Sequence, residues 1–193
     1  MHTRLSDAVC PDSLPWVRQR HYARTNRVCA ALATVICLCS PIVPDASADP
    51  TVEKEVKAIR TRYDAVERTL GRCRQVKRDL LDESTEGGEL TAYFSDQSLR
   101  KLVAKVYGEI GQAREEYYFW DDRLFFVLRV KSRYDKPFGK VVSKSEERFY
   151  FADDALIRWL DPRKKEASAG PEMQERGRDY LARAKKYSAL VKK

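Results

Sequence analysis

Four pairs of neighbouring acids, Glu115-Glu116, Asp121-Asp122, Glu146-Glu147 and Asp153-Asp154, are the first residues of this 193-residue chain that invite a chemical reading. A glycosidase sets two carboxylates across a cleft, one to protonate the leaving oxygen and one to attack or to activate water. Neighbouring strand residues point to opposite faces, however, and the two Asp pairs stand where the chain must turn. Ser98-Leu99-Arg100-Lys101 has the letters of a Ser-x-x-Lys nucleophile pair. That pair works on a helix beside Ser-Asp-Asn and Lys-Thr-Gly elements, and neither tripeptide occurs here. No glycine-rich phosphate loop is present either. A carboxylate-based hydrolase therefore ranks last among the functional readings, and no cofactor is expected.

The N-terminal region decides which other side chains are at hand. Arg18, Arg20, Arg24 and Arg27 precede an apolar run from Val28 to Val43, and Ala46-Ser47-Ala48 places small residues at a signal-peptidase site. Pro41 and Pro44 end the run where a buried helix would continue. The expected organisation begins with a signal peptide over residues 1–48, cleaved after Ala48, and a periplasmic or secreted mature chain. Cleavage removes Cys10, Cys29, Cys37, Cys39, His2 and His21, and leaves Cys73 as the one thiol. A mature chain of that inventory has no internal disulfide, no histidine-based catalysis and no ordinary zinc site.

The remaining elements follow from periodicity. Val52, Val56, Ile59, Tyr63, Val66, Leu70, Cys73 and Leu80 recur at steps of three and four, which predicts an amphipathic helix over residues 49–82, with Asp49-Pro50 at its start. Cys73 falls in the stripe and reads as a small core residue. The Glu83–Gly88 stretch is a polar break, after which the period becomes two. Residues 83–162 read as a β-meander, 163–170 as a charged linker, and 171–193 as a basic C-terminal helix opened by Pro171. Lys185, Lys186, Lys192 and Lys193 load the end of that helix. They read as a solvated terminus or as an attraction for anionic glycans or lipid head groups. The formal net charge of +8 is too modest, and the expected destination too remote, for a nucleic-acid partner. Once processed, the chain is expected not to be an integral membrane protein.

Within the meander one pattern recurs. Tyr93-Phe94, Tyr118-Phe119 and Tyr150-Phe151 are each followed by an Asp two residues after the Phe and by a Leu five after it. Two-residue turns at Asp96-Gln97, Asp121-Asp122 and Asp153-Asp154 would pair Phe94 with Leu99, Phe119 with Leu124 and Phe151 with Leu156. Three such hairpins make an α+β fold with a six-stranded antiparallel meander between two helices. This stretch, about residues 90–160, resembles exported bacterial proteins built from aromatic hairpin repeats of MORN-type and YwqK-type rhythm. Those repeats carry Gly after the turn residue, where this chain has Gln97, Asp122 and Asp154. The resemblance implies a meandering sheet and no catalytic residues.

Alternation sorts the meander into two faces. One takes Leu90, Phe94, Leu99, Val103, Tyr117, Phe119, Leu124, Phe126, Leu128, Phe149, Phe151, Leu156 and Leu160. The other takes Tyr93, Leu102, Tyr118, Trp120, Phe125, Val127, Tyr150, Ile157 and Trp159, interleaved with Arg100, Arg123, Arg129 and Arg148. Tyr and Trp beside Arg suit recognition, so Tyr93, Tyr118, Trp120, Arg123, Arg148, Tyr150 and Trp159 are the candidate ligand-binding residues. The leading expectation is a non-enzymatic binding or inhibitor-like module using that face toward an envelope protein or an anionic glycan or lipid head group. The runner-up is a structural, envelope-associated protein with both faces buried. If residues 1–48 are a processed leader, the mature protein isolated from its host begins at or near Asp49. N-terminal sequencing that finds Met1 retained overturns the export reading.

Overall fold

The computed structural model describes residues 49–81 and 83–192, and the expected leader lies outside the described residues. The first helix, α1 (Pro50–Thr69), starts as its sequence dictates. Asp49 accepts a hydrogen bond from the Thr51 backbone N–H at 2.9 Å, and Pro50 occupies the first turn, where its missing N–H costs nothing. The helix does not run to residue 82. A single 3-10 turn, Leu70–Arg72, closes it at Gly71, and the chain re-enters as a strand, β1 (Arg74–Asp79). Val76 and Leu80 lie four apart, a spacing that fits a helical turn and also two steps of strand alternation. The helical reading of residues 70–82 rested on that ambiguity. Cys73 is half-buried at this junction and belongs to neither core, because the strand begins immediately after it.

The sheet accordingly has seven strands, not six: β1, β2 (Gly88–Ser95), β3 (Ser98–Gly108), β4 (Gly111–Trp120), β5 (Arg123–Tyr134), β6 (Val141–Ala152) and β7 (Ala155–Leu160). They lie in sequence order, each antiparallel to the next. The second helix, α2 (Pro171–Val191), follows the loop after β7. The fold is α+β, with α1 on one face of the sheet and α2 on the other. Gly177 lets α2 approach β7 closely, since a Cβ there would come within 2.9 Å of the Leu156 Cβ.

The turns at Asp96-Gln97, Asp121-Asp122 and Asp153-Asp154 are two residues long, and Phe94–Leu99, Phe119–Leu124 and Phe151–Leu156 pair across them. Asp121, Asp122, Asp153 and Asp154 all take positive φ (49°, 58°, 49° and 59°), the signature of the turn whose twist matches the flanking strands. Asp tolerates this conformation because its short side chain can bond locally, which is how the turns form without Gly. Just past each turn the register shifts by one residue, so Arg100, Phe125 and Ile157 are extra on the returning strand. Such a bulge sets two successive side chains on the same face.

The bulge redistributes the expected faces. Phe125 and Phe126 both lie under α1, with Leu128, Ile157, Leu160, Tyr118, Trp120 and Tyr150. Leu102, Val127 and Trp159 lie instead under α2, with Phe94, Phe119, Phe149 and Phe151. Strict alternation had placed Phe126, Leu128 and Leu160 with the second group, and Leu102, Val127 and Trp159 with the first. Both faces are thus covered by a helix. Phe119 and Phe151 are buried in the α2-side core, so Phe119→Ala and Phe151→Ala should each cost about 3–5 kcal/mol in urea unfolding. Midpoints that hardly move contradict this packing.

Candidate ligand-binding site

Strand β4 carries the side chains that hold both helices in place. Glu115 and Tyr117 point toward α2, and Glu116 and Tyr118 toward α1. On the α1 side, Lys101 donates to Glu67 of the helix and to Glu116, each at 2.7 Å. The Tyr118 hydroxyl stands 2.7 Å from the Glu67 carboxylate and 2.6 Å from that of Glu116, and its single proton serves one of them at a time. Burial pushes the Glu116 carboxyl up. The hydrogen bonds from Lys101 and Tyr118 and the charges of Lys101 and Arg114 outweigh it, and hold the group below the ordinary carboxylate range. On the α2 side, Arg183 of the helix grips both oxygens of Glu115 at 3.0 Å, and the Tyr117 hydroxyl donates to the same carboxylate at 2.5 Å. Burial and the Glu115 charge push the Tyr117 phenol well above its usual value, so it remains a donor.

These tethers bring α1 down on the sheet and leave a cleft at its margin. Ile59, Arg60, Tyr63 and Asp64 of α1 line one wall of a space of about 280 Å³, and Phe126, Leu128, Arg148 and Tyr150 of β5 and β6 line the other. Its rings pack against one another at steep angles: Tyr63 meets Phe126 edge-on at 5.5 Å, and Phe126 meets Tyr150 tilted by 54° at 5.1 Å between centroids. Arg148 bonds Glu146 at 2.7 Å. Burial pulls its guanidinium pKa down, and the bond and charge of Glu146 more than offset that, so Arg148 stays protonated as Glu146's partner, while Arg60 and Asp64 place one cation and one acid on the opposite wall. Aromatic edges and two guanidiniums lining one cleft can contact a ring-shaped body and pair its anionic group.

The seven candidate residues are not one surface. Arg148 and Tyr150 meet in this cleft. Trp120 and Arg123 line a second opening, of about 590 Å³, at the turn end of the sheet. There Arg123 clasps Asp154 at 2.8 Å and Asp153 at 3.3 Å, and Arg100 stacks over the Trp120 ring at 5.1 Å. Tyr118 is fully buried beneath α1, and Tyr93 is half-buried on β2, paired with Lys101. Trp159 is a correction: it stacks on Phe149 at 5.7 Å on the α2 side, because the bulge at Ile157 reverses its direction. Arg60, Tyr63 and Asp64 were read only as parts of a helix. Their signal was an aromatic within an otherwise mainly aliphatic stripe, flanked by a cation three residues before it and an acid just after.

No family model, curated protein or solved structure matches the chain. Among the described residues, no helix is long and apolar enough to cross a membrane, and no cluster of His, Cys, Asp or Glu side chains suits a metal ion.

The depressed Glu116 pKa makes a stability prediction. Its contribution is fully present above the unfolded carboxylate pKa of about 4.3 and is lost as pH falls through the lower folded value. Glu116→Gln should therefore lose about 3 kcal/mol at pH 7. Denaturant unfolding should show the gap between native and variant narrowing clearly by pH 3. An equal gap at both pH values refutes the account.

Proposed function

We propose that the protein is a non-catalytic binding module that takes a small ring-bearing anion, such as an acidic sugar unit of an envelope glycan, in the cleft between α1 and strands β5 and β6. The observation that carries the reading is one cleft lined together by Arg60, Arg148 and the rings of Tyr63, Phe126 and Tyr150. The space is at the small end of ligand pockets and suits one ring with a carboxylate rather than a long polymer. A sugar lays its C–H face on the rings while a guanidinium takes the carboxylate in a bidentate grip. The export reading of residues 1–48 agrees with a ligand of the cell envelope.

A second reading, a structural envelope-associated protein, is favoured by the cover over both sheet faces. We also read the three Tyr-Phe hairpins as copies of one unit. Their common turn length and the bulge at the same step past each turn support this.

Titration with glucuronate, followed by backbone amide NMR shifts, separates the two functional readings. The binding reading expects shifts concentrated at residues 59–64, 126–128 and 148–150. Arg60→Ala with Arg148→Ala should weaken the interaction by about 2 kcal/mol, with little change in melting temperature. Shifts scattered over the surface, or none, favour the structural reading.

A further inference from the structure

The end of the sheet opposite the Asp turns has no helix over it. No residue of either buried core falls within 105–114 or 130–147, so β3 to β6 run on past both helices. Two reversals cap this tip, the Glu109-Ile110 turn and the Asp135–Lys140 loop. They are tied together by the hydrogen bonds Phe138 N–H to Glu109 O at 2.8 Å and Tyr134 N–H to Ile110 O at 2.9 Å. Each carries an outward apolar side chain: Ile110 is 70% exposed and Phe138 68%, and Val141 and Val142 stand exposed beside them.

Phe138 is also held at φ 54°, in the left-handed region that a bulky residue occupies only at a cost. A strained backbone presenting a phenyl ring to water is not explained by packing, and such strain collects at functional positions. The charge around it is mainly positive. Lys131, Arg133, Lys136, Lys140 and Lys144 surround the tip, and none of them makes an ion pair among the described residues. The nearby acids are Glu109 and Asp135, and the Asp135 carboxylate is occupied by the Lys140 N–H at 2.8 Å.

We propose that this tip docks on an anionic phospholipid bilayer. Ile110 and Phe138 enter the boundary between head groups and acyl chains, and the ring of cations meets the lipid phosphates. Apolar side chains at the outermost reversals, with cations one step behind them, match the layering of a bilayer surface. The apolar residues stand at the rim of the sheet rather than on one flat face, which disfavours a folded protein as partner. The inference is independent of the cleft beneath α1.

Hydrogen exchange of the full chain, with and without vesicles, tests it locally. Vesicles of equal parts phosphatidylglycerol and phosphatidylcholine should slow exchange in residues 107–112 and 134–143, and leave the turns at 95–98 and 120–123 unchanged. Vesicles of phosphatidylcholine alone should give no such protection. Ile110→Asp with Phe138→Asp should raise the lipid concentration needed for half-maximal protection about tenfold or more. Asp accepts the left-handed backbone, so that variant keeps its fold and melting temperature. Lys136→Glu with Lys140→Glu should weaken protection by a similar factor at low salt and by less at high salt. Unchanged exchange at the tip, or native-like protection in the Ile110→Asp/Phe138→Asp variant, overturns the proposal. Equal protection by soluble heparin that survives Phe138→Asp identifies a general polyanion surface and overturns the lipid assignment.

Discussion

Each of the three hairpins closed by an Asp turn carries one residue more on its returning strand than on the outgoing one, and the arrangement of both cores depends on that offset. Without it, Phe126 would share a face with Phe119, and Arg158 would point into the α2 core. With it, Arg158 reaches Glu53 of α1 at 2.7 Å, and Phe125 and Phe126 together fill the space beneath that helix. A bulge also strengthens local twist, which helps a seven-stranded meander wrap under two helices rather than lie flat. The extra residue stands just past a tight turn each time, where the ladder is shortest and least costly to interrupt.

The second organising feature is the alternation of Glu115, Glu116, Tyr117 and Tyr118 along β4. A single strand near the centre of the sheet supplies a carboxylate and a phenol to each face, and each helix docks a complementary partner there: Glu67 of α1 through Lys101, and Arg183 of α2 directly. Buried ions of this kind add little net stability, because desolvation offsets most of their attraction. Their geometric demand is strict, however. A helix rotated by one residue would leave a charge unpaired inside the core, so these contacts select one docking of each helix from several that would bury similar apolar area.

The two halves of the sheet consequently differ in their cover. Near the Asp turns, both faces are covered by helices, and clefts open along the margins of α1 and α2. Beyond residue 104 on β3 and residue 129 on β5, the strands continue without cover and display cations and apolar side chains at their reversals. The proposed cleft and the proposed docking tip stand on one sheet, so binding at both would hold the cleft at a set distance from the membrane surface.

Much of this was determined by local sequence: the cap at Asp49-Pro50, the α2 start at Pro171, the two-residue turns, and the Phe–Leu pairs that flank them. Each depends on chemistry within a few residues, on backbone freedom at Asp, the missing N–H of Pro, and period-two alternation. Residues 70–82 were not legible, since a four-residue apolar step satisfies helix and strand alike, and pairing with β2 settled the matter. The candidate site was half legible. Tyr150 and Arg148 were found by their composition, but Arg60, Tyr63 and Asp64 come from a helix some eighty residues earlier in the chain. Trp159 was misplaced because one inserted residue reverses every side chain after it. Sequence periodicity counts residues, whereas a face is decided by hydrogen-bond register, and register is set only when the neighbouring strand and the covering helix are both in place.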